Sequence, residues 1–275
     1  MSTSTFALGG DLTVRRLGFG AMRLAMGTFG GPTRPYDQGI SVLRRAVELG
    51  VDHIDTAGFY GTDESPANRQ IKDALYPYPP GLVIATKVGP LRGPDGRPFG
   101  QAGPDGLRGL VEADLASLGL DRLDLVYLRV GGRGGPGGES VAARFAALAA
   151  LREEGLIRHL GVSNVDGEQL AEARAIAPVA AVQNPAGHDD LLKECERSGI
   201  AFVPFFPLGA GEPSPGLAEV AARHGATPAQ AAIAAVLDSS PVALAIPGTG
   251  SLAHLEENMA AADLRLDTQN RELLT

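Results

Sequence analysis

Eight short apolar, β-rich runs alternate along this chain with segments of helical periodicity, and that alternation restricts the fold more than any other feature. The runs lie at 16–22, 51–54, 82–86, 123–128, 157–162, 179–183, 200–205 and 242–246. Between them, apolar residues step by three or four, as in Leu107, Val111, Leu115, Leu118 and in Val141, Phe145, Leu148, Leu151. Strict alternation of strand and helix implies a parallel sheet with right-handed crossovers. Eight such units predict an α/β chain closed into a (β/α)8 TIM barrel. A length of 275 residues suits one such barrel, and no linker-like stretch interrupts it, so residues 1–275 are expected to form a single domain.

Glycine and proline mark the two ends of the barrel differently. Gly50, Gly119, Gly155 and Gly199 each stand between a helical segment and the next strand, where a positive φ ends a helix. The connections after strands, 89–106, 131–138 and 207–216, are long and rich in Gly and Pro. All of these fall at the carboxyl-end mouth, where barrel enzymes build their sites. Tolerant surface loops are the plainer reading, although it leaves the one-sided lengthening unexplained.

Composition removes several classes of function. A net charge of −8 with no Lys/Arg-rich run argues against nucleic acid as a partner. No apolar run approaches the ~20 residues of a membrane span. The start, Met1 to Gly10, lacks a charged segment followed by an apolar one, so no signal peptide is seen and a cytoplasmic address is expected. The single cysteine, Cys195, fits a reducing compartment and reads as a half-buried structural thiol. There is no His-x-x-x-His pair or Cys cluster for a metal, and no Gly-x-Ser-x-Gly elbow for nucleophilic hydrolysis. No exposed apolar helix face stands out, so a monomer is expected.

Three residues at strand ends carry chemistry. The second run leads through His53-Ile-Asp-Thr-Ala-Gly-Phe-Tyr-Gly61, placing Asp55 at the strand end and Tyr60 just beyond it. The third ends Ile84-Ala-Thr-Lys-Val-Gly89, placing Lys87 at the mouth. A lysine ending an apolar strand must be paired or lose its proton, and Asp55 on the neighbouring strand is the natural partner. An ammonium held near a phenol favours the phenolate, so the Tyr60 pKa is expected below its ordinary value. That would give a tyrosine able to exchange a proton with a carbonyl oxygen. An isolated Asp–Lys pair is more often structural; it is the conjunction of three such groups that points to catalysis.

These residues resemble those of the aldo-keto reductases. The resemblance runs through Leu17-Gly-Phe-Gly-Ala21, Gly161-Val-Ser-Asn164, Val182-Gln-Asn184, Pro207-Leu-Gly209, Ile246-Pro-Gly-Thr249 and Glu257-Asn258. It implies bound NADPH, a hydride passed to a small-molecule carbonyl, and Tyr60 as proton donor beside Lys87 and Asp55. It assigns Ser163, Asn164 and Gln183 to the nicotinamide amide. Gly248, Thr249, His254, Glu257 and Asn258 match the segment that grips the adenosine end, and Gly20, Ala21, Phe206 and Leu208 complete the cofactor set. No Gly-x-G-x-x-Gly opens a helix here. Instead, the amides of Gly248 to Ser251 begin a helical stretch running to Ala261, and a helix N-terminus suits a phosphate. No Lys or Arg stands at Gly248 or His254 to mark a 2′-phosphate.

Within the family, the chain is similar to bacterial pyridoxal reductases through Tyr76-Pro-Tyr78, Leu128-Arg129 and Pro204-Phe-Phe-Pro-Leu-Gly209. Arg129 stands where most members have histidine, and its guanidinium stays charged at any relevant pH. The resemblance therefore implies reduction of a small aromatic aldehyde or ketone, with pyridoxal to pyridoxine as the lead. A mouth-lining arginine paired with a carboxylate is the plainer alternative. One departure is Ala186, which replaces the aromatic residue expected to stack on the nicotinamide; Phe205 or Phe206 could substitute. Two other functions stand beside reduction. One is a tailoring enzyme in which Tyr60 and Arg129 perform acid–base dehydration or cyclisation without nicotinamide. The other is a non-enzymatic nucleotide-sensing subunit.

Overall fold

A computed structural model describes residues 5–26, 34–62, 64–93, 98–132, 135–205 and 214–274. Seven parallel strands form one sheet: β1 (Phe19–Gly20), β2 (His53–Asp55), β3 (Val83–Val88), β4 (Leu123–Arg129), β5 (Ile157–Ser163), β6 (Val179–Gln183) and β7 (Ala201–Phe202). Each pairs with its predecessor in order. The eighth predicted run closes the circle. Leu244 N donates to Phe202 O and Phe202 N to Val242 O, both at 2.9 Å. On the other side Ala245 N donates to Arg16 O and Gly18 N to Ala245 O, both at 2.8 Å. Segment 242–245 thus joins β7 to the first strand and completes the predicted barrel.

Side-chain parity organises the interior. Val83 and Ala85 of β3, Leu125 and Tyr127 of β4, and Ala181 of β6 pack together inside the barrel. The alternate residues Ile84, Val88, Val126, Leu128 and Val182 face the surrounding helices, as a period of two requires. The Tyr127 ring fills the centre because Gly161 opposite has no side chain: a Cβ there would lie 2.6 Å from the ring. Continuing the inward rows upward, the last inward positions of β2 to β6 are Asp55, Lys87, Arg129, Ser163 and Gln183. The same alternation that builds the core delivers these polar groups to the mouth.

Several expectations are refined. The first strand is shorter than the run 16–22, with β1 at 19–20 followed by a helical turn at Met22–Ala25. An antiparallel hairpin, Thr5–Leu8 with Leu12–Arg15, sends Leu8 and Val14 into the interior cluster and plugs the barrel floor. The Gly/Pro-rich connection 89–106 carries a second hairpin, Pro90–Arg92 with Pro98–Gln101. The predicted helix-ending glycines all have positive φ: Gly50 90°, Gly119 69°, Gly155 87° and Gly199 66°. Cys195 is fully rather than half buried, and burial pushes its thiol up to about 12. Among the described residues, no helix is long and apolar enough to cross a membrane.

One buried cation holds the closure. Arg16 donates through Nη1 to the carbonyls of Ser240 (2.7 Å) and Ala243 (3.2 Å), and through Nη2 to that of Leu237 (2.8 Å). These carbonyls end the helix Pro228–Ser239 and lead into the eighth strand. Arg16→Ala would leave them unsatisfied in a dry environment and should cost on the order of 3 kcal/mol. Urea unfolding followed by circular dichroism measures this; a loss below about 1 kcal/mol would show that the closure does not depend on Arg16.

Candidate active site

The site is built around a buried ion pair. Asp55 is 4% exposed and Lys87 3%. Lys87 Nζ donates to Asp55 Oδ1 at 2.5 Å and to the carbonyl of Thr56 at 3.0 Å. The other carboxylate oxygen, Oδ2, accepts from Gln183 Nε2 at 2.7 Å. Burial works against the ammonium, but the charge of Asp55 and then Tyr60 outweigh it, holding the Lys87 pKa above its usual value. Lys87 therefore remains a cation.

Tyr60 sits on the turn after β2, with its amide donating to Ala57 O at 3.0 Å and its carbonyl accepting from Ala67 N at 3.1 Å. Gly61 continues the turn at φ 98°, in a region that favours glycine. Its carbonyl accepts from Arg92 Nη1 at 2.7 Å, which ties the Tyr60 turn to the hairpin of the next connection. Lys87 Nζ lies 4.9 Å from the Tyr60 ring centroid. It acts on the phenol through its charge, which favours the phenolate.

The expected depression of the Tyr60 pKa is not found. Burial raises it, and the opposing pull of Lys87 is the next largest influence but does not prevail. The charge neighbours were legible in the sequence; the loss of solvent was not. The phenol accordingly keeps its proton and is an acid with a cation beside it.

Arg129 stands across the mouth. Its Nη1 donates to Ser163 Oγ at 3.3 Å, and its guanidinium lies 5.0 Å from the centroid of the Phe205 ring. Among the described residues no carboxylate pairs with it. Burial lowers its pKa while Tyr60 pulls the other way.

The remaining sequence-chosen residues divide into two groups. Ser163, Asn164 and Gln183 stand at the ends of β5 and β6, with Gln183 bonded to Asp55 and Ser163 in register with Gln183. Asn164 has φ 61°, and its Nδ2 donates to the carbonyls of Val130, Gly132 and Gly135, pinning the glycine-rich loop after β4. Gly248, Thr249, His254, Glu257 and Asn258 lie at the end of the eighth strand and on the helix Leu252–Ala260, which Ser251 caps. The His254 side chain is exposed, while Glu257 Oε1 accepts from Thr227 Oγ1 at 2.6 Å. Gly20 and Ala21 join the groups: a Cβ on Gly20 would meet Ile246 O at 2.6 Å, and Ala21 N donates to Asp55 O at 2.8 Å. Phe206 and Leu208 lie outside the described residues.

A second buried carboxylate escaped the sequence reading. Asp114 is 2% exposed; it accepts from Thr86 Oγ1 at 2.6 Å and Asn68 Nδ2 at 2.9 Å. Asn68 Oδ1 in turn accepts from Thr56 Oγ1 at 2.8 Å, and Thr56 is the residue whose carbonyl holds Lys87. Burial raises Asp114 to about 7. A signal was present: Asp114 shares the buried helix face of Leu107, Val111, Leu115 and Leu118, an acidic residue inside an apolar stripe.

A closed parallel barrel with a lysine, a carboxylate and a phenol meeting at its carboxyl-end mouth defines a barrel oxidoreductase. The chain belongs to the aldo/keto reductase family, whose model matches residues 16–215 and 213–275. It is 46% identical over 278 residues to the pyridoxine 4-dehydrogenase of Escherichia coli (strain K12), covering 98% of this chain and 96% of the relative. Among solved structures it resembles a thermostable aldo-keto reductase in complex with the inhibitor epalrestat, at 28% identity and TM-score 0.82, covering 99% of this chain and 98% of that one. It also resembles an aldo-keto reductase from Klebsiella pneumoniae in complex with NADPH, at 26% identity and TM-score 0.81, covering 99% and 94%.

The Asp114 carboxyl gives a pH prediction. In the folded protein it titrates at about 7, above the ordinary carboxyl value of 3.8, so the folded state binds the proton more tightly. This stabilises the fold at low pH, and the contribution is lost as pH rises toward 7. Between pH 5 and 8, Asp114→Asn should gain about 2–3 kcal/mol of stability relative to the parent. Urea midpoints at the two pH values measure the difference, and equal gains at both would show that Asp114 does not titrate between them.

Proposed function

We propose that this chain reduces a small aromatic aldehyde with NADPH, pyridoxal to pyridoxine being the lead substrate. The observation that carries the reading is the Tyr60 ring 4.9 Å from the Lys87 ammonium that Asp55 pairs, with Arg129 across the mouth. The 46% identity to a pyridoxine 4-dehydrogenase supports the substrate class, and related barrels with bound NADPH or NADP support the cofactor.

The residues fit that cofactor. Ser163 and Gln183 end neighbouring strands beside the ion pair and would hold the nicotinamide amide. Gly20 and Gly248 approach each other too closely for any side chain, leaving a bare backbone ridge for the dinucleotide to cross. The helix Leu252–Ala260 begins beyond it, where Gly248, Thr249, His254, Glu257 and Asn258 would hold the adenosine end. Ala186 is exposed and brings no ring; its amide donates to Phe205 O at 3.4 Å, so the Phe205 ring adjoins the position where stacking is needed.

When bound, NADPH supplies the hydride that adds to the carbonyl carbon. Tyr60 then gives its proton to the carbonyl oxygen. Lys87 stabilises the phenolate left behind, and Asp55 keeps Lys87 charged and aimed. Arg129 orients the oxygen. A phenolic hydroxyl beside the aldehyde gives its planar fork a second acceptor, which favours pyridoxal over a simple aldehyde. Acid–base chemistry without nicotinamide, the reading that Ala186 invites, would leave NADPH unbound.

The test is consumption of NADPH with pyridoxal, followed by absorbance, with calorimetric titration of the cofactor. Tyr60→Phe should lower turnover by about 10²–10⁴-fold while NADPH binding is retained. Full activity in that variant removes Tyr60 as the donor, and failure of the parent to bind NADPH removes the reductase reading.

A further inference from the structure

The segment assigned to the adenosine end has an electrostatic gap: from Gly248 to His254 it contains no lysine or arginine. The fold brings a cation to it from elsewhere. Arg34, in the connection after β1 and just ahead of the helix Tyr36–Glu48, lays its side chain on Gly250. A Cβ on Gly250 would overlap Cδ and Nε of Arg34 and come within 3.1 Å of its Cζ. Gly250 therefore makes room for the arginine. Gln38 Nε2 donates to Gly250 O at 2.6 Å and fixes the two elements together. On the neighbouring side, Arg23 Cγ would lie 3.5 Å from a Cβ on Gly248.

Among the described residues Arg34 has no hydrogen-bond or ion-pair partner. Its Nε is closed off from solvent without an acceptor, and among the described residues its guanidinium makes no ion pair. The enclosed Nε has lost its water and regains a hydrogen bond only from an acceptor, while the rest of the partly exposed side chain can still reach a ligand. The position lies just before the Leu252–Ala260 helix, whose free amides and dipole also favour an anion.

We propose that Arg34 is the residue that reads the 2′-phosphate of NADPH and sets the preference for NADPH over NADH. The inference rests on the reading of 248–258 as the adenosine end. A phosphomonoester offers a charged oxygen pair to the guanidinium fork; NADH has a single neutral hydroxyl there. The cation comes from the first strand-to-helix connection, replacing what the eighth lacks.

The test compares dissociation constants for NADPH, NADH and 2′,5′-ADP in the full chain, Arg34→Met and Gly250→Val. Arg34→Met should weaken NADPH and 2′,5′-ADP at least about tenfold, leave NADH within about threefold, and keep the melting temperature unchanged. Arg34→Lys should recover part of the loss. Gly250→Val, which displaces the arginine without removing it, should show the same selective loss. Equal weakening of NADPH and NADH, or no change in either, overturns the proposal while the reductase reading stands. If the parent chain binds neither dinucleotide, the cofactor reading fails and this proposal fails with it.

Discussion

The site depends on keeping Lys87 charged where there is almost no water. An ammonium in a dry interior either finds a counter-charge or gives up its proton. Asp55 provides that charge at 2.5 Å, and its second oxygen is held by Gln183, so the carboxylate has no freedom to turn away. The pair is thereby less a source of stability than a fixed field. Removing either member would leave the other buried and uncompensated, which is why such a pair persists only as a unit.

The barrel makes that field reproducible. Parity along β2 to β6 points alternate residues inward, so Ala85 and Lys87 differ only in height above the floor. Lys87 pairs in register with Tyr127, and Arg129 with Ser163. The packed layer below, with the Tyr127 ring seated over Gly161 and the hairpin residues Leu8 and Val14 beneath, gives the polar layer a rigid base. Asp114 supports the arrangement from the helix side, through Asn68 and Thr56. The charged groups at the mouth are thus held by strand ends below and by a hydrogen-bonded chain behind, while Tyr60 comes from the turn after β2.

What the sequence revealed and what it hid follow from range. The strands, the helix-ending glycines and the inward-facing Asp55 and Lys87 were legible because each depends on periodicity within a few residues. The floor hairpin was not, since two four-residue strands leave little periodic signal. Asp114 had a local signal that went unread: its register matches the apolar face of its own helix. The direction of the Tyr60 shift could not be read at all, because burial belongs to the assembled barrel whereas the charges were visible in the chain. Arg34 on Gly250 is likewise a product of closure, which places the first and eighth connections side by side.

The charge balance at the mouth explains how a phenol with a raised pKa can still serve as a donor. With Asp114 retaining its proton up to about pH 7, the described charged groups that act on Tyr60 are two cations, Lys87 and Arg129, against one carboxylate, Asp55. Among the described residues the resting site therefore carries one excess positive charge in a medium that penalises any net charge. Transfer of the Tyr60 proton to a substrate oxygen leaves a phenolate, and the site becomes neutral at that moment. Burial resists ionisation of an isolated phenol, but here it also rewards the state that cancels the cations. Desolvation thus keeps the proton on Tyr60 until an acceptor arrives, and the same low polarity strengthens the attraction of Lys87 and Arg129 for the phenolate once it forms.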